Sequence, residues 1–409
     1  MQALVCSKLL PFVESYGWEF HFAGPAPWLV SVLTEDLNVP RERLHYSNRV
    51  SFSKRFSVQK NRCAKRSSGY VLYGFLQLVA RFIERCVGHD SDSYLLEGIR
   101  QAVIGAEHAT GFDLIAGKTP DFRVLCLVSE LAAEFNKPYI ALIDDPYGAR
   151  DEKGFYPTAP ELQRSILDQA SGAIFMSPLT RNRYIKADLI STYKANQLTD
   201  SYPEAAELYQ PVFHATSHKS PLRLIHLGML PEWRPIEPLL EALGRLAHSS
   251  SPASCRLELS IYGFLYPAAR QRIQDDPLLS HLIHLKPMVS YAESHRLAED
   301  ADLQLVVIGP RHLDNYPSKF FEYLGHGKPV LVLGPLQNPL REIVERLEIG
   351  LFVDVKDADA IHDALKLMLG DHEIFRRAYS VHSAEIQAFS ARRVAESFCA
   401  VLDASVASQ

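Results

Sequence analysis

The sequence predicts an α/β protein built from two Rossmann-like, doubly wound domains. Three observations predict it. From Pro221 onward, short apolar runs alternate with longer amphipathic stretches; the first half shows the same alternation less regularly; and the chain of 409 residues is long enough for two or three buried cores. Strands that alternate with helices imply βαβ units and a parallel sheet covered on both faces. Right-handed crossovers then make each such sheet doubly wound.

The elements of the second half follow in order. Strand-like apolar runs cover 222–227, 257–262, 281–285, 303–308, 330–333 and 350–353, and helical periodicity covers 236–246, 292–298, 318–324, 340–347 and 359–369. In the first half, 18–23, 113–116, 138–143 and 173–176 read as strands, while 3–16, 70–85 and 123–135 read as helices. The polar, turn-rich stretch 214–221 is the best linker. A long amphipathic helix is expected over 384–402, after the second sheet is complete. The expected organisation is a first domain over 1–213, a second over 219–384, and a terminal segment, 385–409, that crosses back to the first.

Composition narrows the function classes. Hydrophobic residues make up 47% and charged residues 22%, ordinary for a globular chain and unlike a disordered or collagenous one. With 43 basic and 48 acidic side chains the formal net charge is -5, which argues against a surface built throughout for nucleic acid. No apolar run reaches the ~18 residues of a membrane-spanning helix; the best candidate, 70–82, contains Gln77. The amino terminus lacks a basic leader region, so a secretory signal is not expected, and a cytoplasmic location is. The six cysteines form no CxxC pair and fit reduced thiols. The 16 histidines form no HExxH, and His281 and His284 fall in an apolar run, so no metal site is expected.

In open parallel sheets, ligands bind beyond the carboxyl ends of the strands. The richest such junction runs from Ile308 to Leu331. A buried strand ends at Gly309, a polar loop follows, and Pro317 and Ser318 open a short helix that Gly325 and Gly327 end. The free amides around Tyr316, Pro317, Ser318 and Lys319 suit a phosphate, and Glu322, one turn further, can accept two hydroxyl hydrogen bonds from a ribose. Equally, Lys319 and Tyr323 are four apart on the helix, and Glu322 fits a solvated helix residue. A second junction, Gly228 to Arg234, carries an arginine able to clamp a diphosphate, or simply to sit at the surface before a Pro-initiated helix. A third ends at Gly263. All three fall in order on one edge of one sheet.

The string Tyr316-Pro-Ser-Lys-Phe-Phe-Glu-Tyr-Leu-Gly-His-Gly-Lys-Pro-Val resembles the nucleotide-sugar motif of GT-B glycosyltransferases of the GT4-like group (glycosyl transferase group 1). Gly228 to Arg234 is similar to that family's glycine-then-basic signature, and the tail from Gly350 to Ile361 to its last strand and helix. The resemblance covers roughly residues 219–384; the first half is compatible with it through 113–116 and 143–147. It implies two domains facing across a cleft and transfer of a sugar from a UDP- or GDP-linked donor to a hydroxyl acceptor, with retention. By the same resemblance Glu322 holds the ribose hydroxyls. Asp314, eight residues earlier where the family has a glutamate, or its loop, faces the donor sugar, and Arg234 meets the diphosphate. The nucleotide sugar is substrate; no tightly bound cofactor is implied.

Three departures qualify it. Met229 stands where the family places a companion arginine, so one phosphate ligand is missing or comes from elsewhere. The chain opens on a helical pattern rather than a strand and glycine-rich loop, and the first domain offers no counterpart of the family's central histidine. Asp144 and Asp145, at the end of a strand, are the acceptor-side candidates, with capping before Pro146 the plainer alternative. The triplets at 90–92, 300–302 and 357–359 read as caps and solvated faces rather than metal ligands. Between 41 and 66 lie nine basic residues against the single acid Glu42, a segment that suits anionic lipid headgroups or a solvated loop; no nucleic-acid motif accompanies it. The acceptor expected is a glycan, a lipid-linked saccharide or a small molecule. The rival readings are a non-catalytic binding or scaffold subunit, which the departures would explain, and a nucleotide-sugar epimerase.

Overall fold

In this computed structural model the described residues are 8–25, 43–47, 72, 76, 91–119, 122–151, 154–203, 221–248, 257–314 and 316–407. The expected linker at 214–220, most of the helix at 70–85 and most of the basic segment 41–66 lie outside them. The chain divides into two compact units, Met1–Leu142 with Ser165–Ala173 and Cys399–Gln409, and Ile143–Arg164 with Ile174–Phe398.

The strands in chain order are β1 Phe22–Pro25, β2 Leu44–Ser47, β3 Ile115–Lys118, β4 Tyr139–Ile143, β5 Gly148–Asp151, β6 Gly154–Pro157, β7 Gly172–Phe175 and β8 Ala195–Gln197, followed by β9 Leu222–Leu227, β10 Leu257–Tyr262, β11 Ile283–Lys286, β12 Leu303–Val307, β13 Val330–Gly334 and β14 Gly350–Asp354. The helices are α1 Leu10–Val13, α2 Ser91–Thr110, α3 Phe122–Phe135, α4 Pro160–Gln169, α5 Pro178–Lys186, α6 Glu237–His248 and α7 Pro267–Asp275. They continue with α8 Pro277–Leu282, α9 Tyr291–Asp300, α10 Ser318–Leu324, α11 Leu340–Leu347, α12 Ala358–Val381, α13 Ser383–Gln387 and α14 Ala391–Ala407.

A four-stranded sheet has the order β3-β4-β7-β8, β1 pairs with β2, and β5 with β6 forms an antiparallel hairpin. In the first unit, Ile115, Leu131, Tyr139 and Ala170 share a core, the Tyr139 hydroxyl donates to the Ile166 carbonyl, and Trp18 Nε1 donates to Asp403 Oδ1 at 2.8 Å.

The second unit holds a parallel six-stranded sheet of order β11-β10-β9-β12-β13-β14. Its strands are apolar on both faces because helices cover both. Leu224, Leu259, Leu305 and Leu333 point to one core with α6 and α12, while Ile225, Leu227, Val306 and Val332 point to another with α10 and α11. The chain winds outward from β9 to β11 and then returns to β12 on the far side of β9. The loops after β9 and β12 therefore diverge, and that switch point is where such sheets take ligands.

Several expectations shift. The strand expected over 281–285 starts at Ile283, because Asp276 accepts from the amides of Leu278 and Leu279 and caps a helix that runs through Leu282. His281 is thus helical. The helix expected to end at Leu369 continues through Gly370 to Val381, its last turns buried through Ala378 and Tyr379, whose hydroxyl donates to the Lys328 carbonyl at 2.8 Å. The helix expected over 384–402 is two helices: Tyr202 takes over the backbone bonds of Phe389 and Ala391 at 3.1 and 3.0 Å. Near the amino terminus, the strand begins at Phe22 rather than Trp18, and the described part of the 3–16 helix is α1 and one 3₁₀ turn.

Candidate active site at the switch point

The site is built on the carboxyl edge of β9, β10 and β12. Gly228 and Gly263 both lie in the positive-φ region, at 127° and 122°, and a Cβ on Gly263 would overlap the carbonyl of Gly228. Two loops thus pack backbone on backbone, with Leu230 N donating to Phe264 O at 2.7 Å. Gly309 allows a third close approach: a Cβ there would overlap the Trp233 carbonyl. The loop after β9 is held over the end of β12 by these contacts.

Arg234 leaves that loop half-buried. Its guanidinium lies 4.5 Å from the Trp233 ring centroid and donates to the Met229 carbonyl at 3.3 Å, and its Nε is buried without a hydrogen-bond partner. Burial draws its pKa below the usual arginine range, and the Asp145 carboxylate pulls it back up. Asp145, exposed at the end of β4, and Arg234 therefore act on each other. Asp144 beside it is half-buried. Trp233 also packs against His312 with its ring tilted by 36°, centroids 4.6 Å apart.

Helix α10 opens after Pro317, as its sequence predicts, and no side chain caps it. Pro317, Ser318 and Lys319 are half-buried, while Phe320, Phe321 and Tyr323 anchor the helix in the core. Tyr316 packs against Phe321 at 5.2 Å, and burial raises its phenol well above the ordinary value. Glu322 is 7% exposed rather than solvated. Its Oε2 meets Lys319 Nζ at 3.1 Å and its Oε1 the Tyr291 hydroxyl at 3.5 Å. At seven residues the helix is short, so side-chain cations matter more here than its dipole.

Asp314 is 2% exposed, and its Oδ2 accepts from Thr180 Oγ1, in the first turn of α5, at 3.1 Å. The aspartates of the two later triplets are caps and ion-pair partners: Asp300 to Arg296, Asp302 to Arg223, Asp359 to Arg245, and Asp357 at the start of α12. Among the described residues, no three His, Cys, Asp or Glu side chains are grouped to hold a metal ion. No described helix is long and apolar enough to cross a membrane. Of the nine basic residues in 41–66, the structure describes Arg43, which pairs with Glu14 and Glu19.

Sequence reasoning missed three participants. His226, the penultimate residue of β9, is 4% exposed, and its Nδ1 lies 3.1 Å from the Leu305 carbonyl. Tyr291 reaches Glu322 from α9. His326 is 2% exposed and its Nε2 lies 3.2 Å from His295 Nδ1; burial and His295 press its pKa down to about 3. His326 stood in the motif as a turn residue between two glycines; the apolar run before Gly228 was the only signal for His226.

No protein-family model and no curated protein sequence matches the chain. Solved structures do match its fold. Anabaena Alr3699/HepE, solved in complex with UDP, is similar over 75% of this chain and 82% of its own, with 15% identity and a TM-score of 0.56. Sucrose-phosphate synthase from Thermosynechococcus elongatus is similar over 77% and 79%, with 18% identity and a TM-score of 0.58. A UDP-forming trehalose-phosphate synthase from Burkholderia xenovorans is similar over 76% and 77%, with 14% identity and a TM-score of 0.56. These neighbours are GT-B glycosyltransferases, and the fold of this chain is GT-B, with two Rossmann-like domains.

Proposed function

We propose that this chain is a glycosyltransferase of the GT4-like kind, which moves a sugar from a nucleotide-diphosphate donor to a hydroxyl acceptor with retention of the anomeric configuration. The observation that carries the reading is Glu322. It is a buried carboxylate on the first helix after the switch-point strand, with Lys319 on one oxygen and the other within 3.5 Å of one hydroxyl. A buried carboxylate beside a cation suits a vicinal diol joined to a phosphate.

The roles then follow. Glu322 accepts from the ribose hydroxyls. Arg234 and Lys319 flank the diphosphate, Lys319 supplying the second cation that Met229 does not, and the amides of Tyr316, Ser318 and Lys319 add donors. Gly228 and Gly263 let the backbone approach the nucleotide. The two cations offset charge that grows on the leaving diphosphate, so the reading calls on no metal. Asp314, fixed by Thr180, orients its loop at the donor-sugar end, and Asp145 with Asp144 faces the acceptor hydroxyl. The donor is UDP- or GDP-linked and the acceptor a glycan or lipid-linked saccharide. A lipid-linked acceptor would give the basic segment 41–66 a role at the inner membrane face.

Calorimetry with UDP, GDP and their sugars tests the donor, and product analysis with a hydroxyl acceptor tests the reaction. The reading expects nucleotide binding and an α-linked product from an α-linked donor. Sugar release modified without any acceptor would replace it with an epimerase, and tight binding without transfer would replace it with a binding subunit.

A further inference from the structure

We propose that His226 is a proton-binding residue where β9 and β12 part: when a nucleoside diphosphate binds, Nε2 takes up a proton from solvent and donates it as a hydrogen bond to a phosphate oxygen. The inference rests on the donor reading above and adds to it a coupling between nucleotide affinity and pH.

The geometry starts with the splay of two strands. Pairing between β9 and β12 covers Leu224 with Leu303 and Ile225 with Gln304, and then stops. One residue further, the Leu305 carbonyl is met by a side chain instead, His226 Nδ1 at 3.1 Å. A carbonyl can only accept, so Nδ1 carries the proton and Nε2 holds the lone pair. That Nε2 is buried with no hydrogen-bond partner, in a side chain only 4% exposed. Buried polar atoms without partners are rare in folded proteins, and one at a switch point calls for an explanation.

The charged groups that act on the ring explain why it is empty-handed. Arg234, from the loop after β9, and Lys319, from α10, both oppose a positive charge on the imidazole, as does burial, whereas the Leu305 carbonyl favours one. Together they hold the free ring neutral, with a pKa of about 4. Each cation has its own counter-charge, Asp145 for Arg234 and Glu322 for Lys319. A diphosphate held by Arg234 and Lys319 adds two negative charges beside the ring and reverses the balance. The imidazolium that forms keeps Nδ1–H on Leu305 and turns Nε2 into a donor. One N–H bond forms at Nε2, and its proton comes from hydronium or a protonated buffer molecule, whose own bond to that proton breaks.

The test is calorimetry with UDP-glucose and GDP-mannose, whose diphosphate diesters do not themselves titrate near neutrality. Each is titrated at pH 5.5 and pH 8 in buffers of different ionisation enthalpy. The wild-type chain should take up a fraction of a proton at pH 5.5, and its affinity should be at least about threefold higher there than at pH 8. His226→Asn places an amide donor where Nδ1 was and removes the titrating nitrogen; uptake should vanish and affinity become flat with pH. Should that variant fold poorly, ¹⁵N-histidine NMR of the wild-type chain gives the same answer, since one ring whose Nδ1 is protonated throughout should gain an Nε2 proton on adding nucleotide sugar. Binding without proton uptake, or the same uptake in His226→Asn, overturns the inference and leaves the donor reading standing. Failure of both nucleotide sugars to bind at either pH overturns the two together.

Discussion

Two buried carboxylates eight residues apart, Asp314 and Glu322, have different surroundings. Asp314 accepts from a threonine hydroxyl, whereas Glu322 is bonded to a lysine and lies near a tyrosine. The lysine beside Glu322 supports assigning the ribose to it, and the threonine that holds Asp314 supports a positioning task there. On the proposed ribose assignment, replacing Glu322 with Ala would remove two charge-assisted hydrogen bonds of about 1.5 to 3 kcal/mol each, partly offset because Lys319 would then turn to phosphate. UDP affinity should fall roughly 10- to 100-fold. With 2′,3′-dideoxy-UDP, wild type and variant should bind alike, and a persisting gap would place Glu322 away from the ribose. The place of Glu322 on α10 was legible in the sequence because the helix period and its flanking Pro and Gly agree on that element. Its tie to Tyr291, 31 residues away, was not, since nothing local encodes the packing of α9 against α10.

Among the elements, the six strands and the helices that cover them were legible wherever apolar runs alternate with amphipathic ones; β9, β10, α10 and α11 begin and end where the pattern does. It failed where one backbone contact overrides the pattern. Asp276 turns the start of an apolar run into α8, and Tyr202 splits one amphipathic stretch into α13 and α14. The loops of the site belong to this second kind, because their course depends on glycines that meet other loops. Gly309→Ala would drive a methyl into the Trp233 carbonyl and displace the loop that carries Arg234. The cost to folding should be about 1 to 3 kcal/mol. UDP affinity, compared well below the unfolding transition, should also fall about tenfold, because a displaced arginine loses its fork geometry. Lower stability with unchanged affinity, from urea unfolding and calorimetry on one preparation, would show that this loop does not position the nucleotide.

For the whole molecule, the site sets a limit on acid stability. His226 and His326 are both buried neutral, with pKa values pressed down to about 4 and about 3. In the unfolded chain both return to about 6.5. Above that pH neither form binds the proton, and the two rings contribute nothing to pH dependence. As pH falls below 6.5 the unfolded chain binds protons that the native one refuses, so stability drops with falling pH until the native pKa is reached. At pH 5 the loss is about 2 kcal/mol for each ring, an upper figure because local relaxation can admit water. His226→Asn should therefore start from a similar or lower stability at pH 7.5 and lose about 2 kcal/mol less on going to pH 5, and His326→Asn likewise. Urea midpoints at the two pH values measure it directly, with carboxylate effects cancelling between wild type and variant. A bound diphosphate that lets His226 keep its proton should also relieve this penalty. The stabilisation by UDP-glucose should then be larger at pH 5.5 than at pH 8, so the ring that reports the ligand also sets how the fold withstands acid.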